Sequence, residues 1–220
     1  MKNPHAALFT LCALLTTGCK KIHDPTVWKL ESLEAVGGIP VEVLGAPVVE
    51  NREGRKSLCF DGADDGLLLP ANPLQGLRTF TIEVLFYPEG DGPAEQRFLH
   101  IEDEASRRVL IETRLIGQRT WALDTFLRAT DTDKLTLLDR DVVQPTDRWF
   151  WAALVYDGAT MAHFVDGHKQ LAGAVAFSPM AGGRMSLGVR QNKVHWFKGC
   201  IAEVRFSAKA LGAQALQRAN

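Results

Sequence analysis

Short runs in which apolar and polar residues alternate, separated by Asp-Gly dipeptides, constrain this chain more than any other feature. Asp-Gly occurs at Asp61-Gly62, Asp65-Gly66, Asp91-Gly92, Asp157-Gly158 and Asp166-Gly167. Tight hairpin turns need positive φ at their central residues, which Asp and Gly tolerate best. Between the turn signals lie Ser57–Phe60, Gly66–Leu69, Phe80–Tyr87, Arg97–Glu102, Arg108–Leu115, Trp121–Leu127, Leu135–Leu138, Trp149–Tyr156, Met161–Val165, Arg184–Arg190 and Val194–Phe206. Each reads as a strand of period two. From Trp149 to Gly173 the order strand, turn, strand, turn, strand is an antiparallel meander. Only Ala208–Arg218, behind Ser207 as N-cap, has helical spacing. The expected class is all-β with a short C-terminal helix.

Composition excludes two alternatives. With 46% apolar residues in a chain of 220, a core can be buried and wholesale disorder is ruled out. Twenty-five basic residues against 26 acidic, without basic clusters, argue against a nucleic-acid partner, whose affinity rests on phosphate neutralisation.

The N-terminus has its own logic. Lys2 precedes a hydrophobic segment, Ala6–Leu15, too short to span a bilayer as a helix. Thr16, Thr17, Gly18 and Cys19 follow, an arrangement similar to the lipobox of bacterial lipoproteins, although Leu15 stands four rather than three residues before the cysteine. The resemblance implies a signal peptide over 1–18, lipidation of Cys19 and membrane anchoring. By the same resemblance, Lys20 after the cysteine favours the outer membrane. Residues 19–56 then read as a tether and N-terminal extension, and 57–220 as the folded domain. Cys12 leaves with the signal, so Cys59 and Cys200 remain in an oxidising compartment, either bridged or as two small thiols. Both alternate with apolar neighbours on their strands.

The strings SLCFDGADDGLLLP, FTIEVLFYP, RWFWAALVYDGATMAHFVDG, SLGVR and FKGCIAEVRFSAKAL, in this order, resemble the laminin-G-like domains of the concanavalin A-like lectin/glucanase superfamily. The resemblance spans about 57–212. It implies a jelly-roll sandwich of two antiparallel sheets with first and last strands adjacent, which would bring Cys59 beside Cys200. Relatives with structural calcium often carry Asp where Ala202 stands. Asp61, Asp64 and Asp65 are weak calcium candidates, better read as a self-bonded acidic turn, so no cofactor is expected.

Lectins, protein-binding modules and hydrolases share this scaffold, so the site must decide function. Period-two reading gathers Glu83, Glu112, Arg114, Asp124, His163 and Arg190 on one polar sheet face. Charged residues in mid-strand need pairing or solvent. They form either a wet ligand groove or an Arg–carboxylate ladder. Trp149 and Trp151 read as sandwich core, whereas Trp196, between His195 and Lys198, reads as a partly wet stacking platform. The expected ligand set is Glu112, Arg114, Asp124, His163, Arg190 and Trp196, with no catalytic residues. The family's hydrolases carry their acids in one strand at spacings absent here. The expectation is a non-catalytic, membrane-anchored module for a glycan or an envelope or extracellular protein. The alternatives are a glycan-active hydrolase or lyase using an acid pair such as Glu112 and Asp124, or a purely structural envelope module.

Overall fold

A computed structural model describes residues 25–219. Lipidation of Cys19 and the signal peptide therefore lie outside the described residues. Eighteen strands form among those described: β1 (Thr26–Lys29), β2 (Ala35–Val36), β3 (Ile39–Pro40), β4 (Glu42–Leu44), β5 (Val48–Arg52), β6 (Arg55–Asp61), β7 (Gly66–Leu69), β8 (Phe80–Pro88) and β9 (Glu95–Glu102), then β10 (Arg108–Ile116), β11 (Thr120–Arg128), β12 (Lys134–Leu138), β13 (Gln144–Pro145), β14 (Phe150–Tyr156), β15 (Thr160–Val165), β16 (His168–Ala174), β17 (Arg184–Leu187) and β18 (Lys198–Ser207).

Two antiparallel sheets carry the fold. The first runs β16-β15-β14-β8-β18-β6-β5, with β1 also on β18; the second runs β12-β11-β10-β9-β17-β7-β4, with β13 on β11. The meander β14-β15-β16 follows the sequence reading. At its second turn Asp166 (φ 47°) and Gly167 (φ 73°) both lie in the left-handed region, as a two-residue hairpin requires. Residues before Ser57 contribute strands to both sheets, with β5 on β6 and β4 on β7.

The core lies between the sheets. From the first come Phe80, Ile82, Val84 and Phe86 of β8 and Phe150, Ala152, Leu154 and Tyr156 of β14; from the second come Phe98, Ile101, Val109, Ile111, Trp121 and Leu123. Phe86 stacks on Phe98 at 4.5 Å, and Trp121 meets Phe86 and Phe150 edge-on at 5.1 and 5.2 Å. Such aromatic pairs add roughly 0.5–1.5 kcal/mol each beyond area burial.

Trp149 and Trp151 depart from the expectation. Their alternation with Phe150 and Ala152 turns them to the outer side of the first sheet, where they pack with Leu85, Tyr87, Ala202 and the Cys59–Cys200 disulfide. Cys59 and Cys200 stand opposite each other on β6 and β18, with Cα atoms 4.0 Å apart. Arg205 and Arg55 lie over the Trp151 and Trp149 rings, at 5.2 and 5.9 Å, and help cover them.

The C-terminal helix is also corrected: only Ala213–Ala215 form a single 3-10 turn. The segment runs across the outer face of the first sheet, where Leu216 packs with Ala153, Val155 and Phe164. Its amides bond to the sheet instead of to each other. Leu211 N–H donates to Thr81 Oγ1 (2.9 Å), Gln217 N–H to Glu83 Oε1 (2.7 Å) and Ala219 N–H to Asp166 Oδ1 (3.0 Å). Those side-chain acceptors satisfy donors that a helix would have paired internally.

Candidate functional site

The outer face of the second sheet carries a dense charged network. On β10, Val109 and Ile111 enter the core, so Glu112 and Arg114 point outward; on β11, Asp124 lies directly across from Glu112. On β9 a register shift breaks the alternation, and Arg97 becomes the neighbour of Glu112. The bulge turns Phe98 and Leu99 both inward and brings Arg97 to this face. Strict period two did not select Arg97 for that reason.

The network is closed over its centre. Arg97 Nε donates to Glu112 Oε1 at 3.0 Å, Arg114 Nε to Asp124 Oδ2 at 2.6 Å and Arg114 Nη2 to Glu112 Oε2 at 3.3 Å. Arg114 Nη1 also lies 2.5 Å from Glu95 Oε2. Glu112 is 2% exposed and Asp124 1%. Burial, followed by repulsion from Asp124, pushes the Glu112 carboxyl up to about 7 despite Arg97 and Arg114. Burial likewise raises Asp124, against the pull of Arg114.

A second group adjoins it. His100 Nε2 lies 3.1 Å from Glu102 Oε2, and Arg108 Nη2 lies 3.3 Å from Glu102 Oε1. Gln191 N–H donates to His100 Nδ1 at 3.1 Å. With Nδ1 accepting, the His100 proton sits on Nε2, facing Glu102. Burial, joined by the charges of Arg190 and Arg108, lowers the His100 pKa against the pull of Glu102.

The loop after β17 supplies the open edge. Gly188 sits at φ 76°, where a Cβ would strike the Phe60 ring, so only glycine lets the chain turn there. The loop then runs beside β9, with Arg97 N–H donating to His195 O at 2.9 Å. Phe197 anchors it in the core against Phe98, centroids 5.5 Å apart. Arg190, Gln191, His195 and Trp196 remain partly exposed on it. Gln191 also receives Arg184 Nε at 3.0 Å. A hollow of about 550 Å³ opens beside Gln191, lined by Glu102, Glu104, Arg184 and Asn192 among others.

The expected set is therefore divided. Glu112, Arg114 and Asp124 meet in one network, with Arg190 and Trp196 on the flanking loop. His163 is corrected: it is buried between the sheets, its Nδ1 3.0 Å from Thr125 Oγ1. It shares the inward side of β15 with Met161 and Val165, and burial lowers its pKa to about 4. Glu83 is corrected too. It lies on the first sheet, opposite Ala153 and Arg205. Arg97 was missed because a bulge brings it to this face, and Gln191 because a loop does, whereas Glu102 and Arg108 pair in regular register and could have been found by alternation.

The acidic turn bonds to its own backbone. Asp61 Oδ1 accepts the amides of Ala63, Asp64 and Asp65 at 2.8, 3.2 and 3.3 Å. Asp65 Oδ1 and Oδ2 accept those of Ala46 and Asp61 at 2.6 and 3.0 Å. These bonds account for the cluster as a turn.

Comparison with known proteins gives the same fold. A family model described as the concanavalin A-like lectin/glucanases superfamily matches residues 61–217. Among curated proteins, none matches the sequence. Domain 4 of AbnA, a GH43 extracellular arabinanase from Geobacillus stearothermophilus solved with arabinotriose, superposes with TM-score 0.62 at 17% identity, covering 87% of this chain and 96% of that one. The binding domain of botulinum neurotoxin DC in complex with SialylT gives 0.60 at 11%, covering 87% and 49%. The Ruminococcus gnavus IT-sialidase CBM40 bound to α2,6-sialyllactose gives 0.52 at 20%, covering 64% and 82%.

Proposed function

Because the chain belongs to the concanavalin A-like lectin/glucanases superfamily, we propose that it is a non-catalytic module that binds a glycan at the outer face of its second sheet. The observation that carries this reading is the pairing of a filled ladder with an open edge. Glu112, Asp124, Arg97 and Arg114 pair with one another and form the floor. Beside them, Arg190, Trp196 and the hollow at Gln191 offer a cation, a stacking surface and hydroxyl acceptors. Sugar sites combine these three elements. Ligands named for the arabinanase domain, the neurotoxin domain and the sialidase module lend support, since each is a saccharide on this scaffold.

Hydrolysis is the weaker reading. Glu112 and Asp124 are the paired acids, but a glycosidic bond must lie between two accessible carboxyl groups. Both are almost fully buried and held by guanidinium groups.

We further place the module at a membrane surface, through acylation of Cys19. The full chain in mild detergent, applied to a glycan array with envelope polysaccharides, should bind at least one class. Binding should weaken with Trp196→Ala. A blank array sinks the glycan reading, and release of new reducing ends would return the hydrolase. Cys19→Ser should abolish labelling by radioactive palmitate; retained label would rule out the anchor.

A further inference from the structure

Pairing on the outer face of the second sheet leaves one guanidinium group, that of Arg190, without a bonded partner among the described residues. Five guanidinium groups, from Arg97, Arg108, Arg114, Arg184 and Arg190, lie on this face and its edge with the five carboxyl groups of Glu95, Glu102, Glu104, Glu112 and Asp124. Four of these carboxyl groups are engaged: Glu112 by Arg97, Asp124 and Glu95 by Arg114, and Glu102 by Arg108 and His100. Arg184 bonds to the neutral Gln191. Arg190 forms no side-chain hydrogen bond or ion pair among the described residues. Arg108 and Arg97 repel its charge while Glu102 and Glu112 attract it, but neither carboxyl is hydrogen-bonded to it. Arg108 Nε is also buried without an acceptor. An incoming anion would supply the hydrogen-bonded partner that the half-buried Arg190 guanidinium lacks.

We propose that the glycan is acidic and that Arg190 receives its carboxylate, an inference that rests on the glycan reading above. The planar guanidinium fork fits a carboxylate with two parallel hydrogen bonds. Gln191, the next residue, borders the hollow, whose Glu102, Glu104 and Asn192 accept ring hydroxyls. The anionic end belongs at Arg190 because these walls would repel it.

The test is calorimetry on the full chain in mild detergent. Sialyllactose and trigalacturonate are the acidic probes; lactose, methyl-esterified trigalacturonate and 3′-sulfolactose are the controls. At least one acidic probe should bind tenfold or more tighter than its neutral counterpart. Arg190→Gln should remove that preference while leaving the thermal melt unchanged. Arg190→Lys should restore only part of it, and Lys56→Gln, on the other sheet, should change nothing. Equal binding of neutral and acidic forms, an unaffected Arg190→Gln protein, or tighter binding of sulfolactose than of sialyllactose overturns the proposal. If the array is positive and neither acidic probe binds, the proposal fails while the glycan reading stands. If array and probes are both blank, both fall.

Discussion

Glu112 and His163 are buried on opposite sides of the second sheet, and pH acts on them with opposite sign. Glu112 has its folded pKa raised from 4.5 to about 7. Between those values the native state holds a proton that the unfolded chain has lost, so stability falls as pH rises. His163 is lowered from 6.5 to about 4, so the unfolded chain holds the extra proton and stability rises with pH. Each shift corresponds to about 3 kcal/mol if fully expressed. In the shared window, about pH 4.5–6.5, the two slopes cancel. His163→Gln should expose a stability that declines with pH there, and Glu112→Gln one that climbs. Urea denaturation at half-unit pH steps measures both; parallel profiles for the two variants would contradict the assignment. Half of this arrangement is legible in the sequence. Alternation puts Glu112 opposite Val109 and Ile111, and it puts His163 in line with Met161 and Val165. The partner that makes a core histidine tolerable, Thr125, comes from the other sheet, 38 residues away, and no local pattern announces it.

At the scale of the element, the C-terminal segment shows how a surface overrides spacing. Its apolar residues fit a helix, but nucleating a short helix is costly and the sheet offers ready acceptors in Thr81, Glu83 and Asp166. Docked extended, the segment buries Leu216 and gives Glu83 the backbone donor its carboxyl needs. Leu216→Ala should cost about 2–4 kcal/mol, as for other buried leucines, read from the shift in urea midpoint. A loss below 0.5 kcal/mol would mean that the segment is not docked in solution. The long strands after Ser57 were readable to within a few residues because each has an apolar face, while β1, β5 and β13, short and without clear alternation, were not. Nor were the outward tryptophans. Trp149 and Trp151 look like core by composition, and only the disulfide and the arginines over their rings explain how they are buried on an outer face.

For the whole molecule, the sequence carries the class of the fold and the outward direction of most charged strand residues. It does not say which sheet each belongs to. Glu83 and Glu112 have similar alternating contexts, yet β8 pairs with β14 and β18 while β10 pairs with β9 and β11. Long-range pairing makes that choice, and with it separates the Glu83–Arg205 neighbourhood from the candidate site. The disulfide belongs to this scale as well. Cys59 and Cys200 lie 141 residues apart in sequence, so the covalent chain between them is a closed ring that includes the entire charged face and its loop. A protease that cuts any one peptide bond in that ring opens it without releasing a fragment. After limited proteolysis at an exposed site such as the Thr130–Asp133 turn, the protein should migrate as one species on a non-reducing gel and as two after reduction. Two species without reductant would show that the bridge had not formed. A single cut would then leave the charged face attached to the rest of the chain.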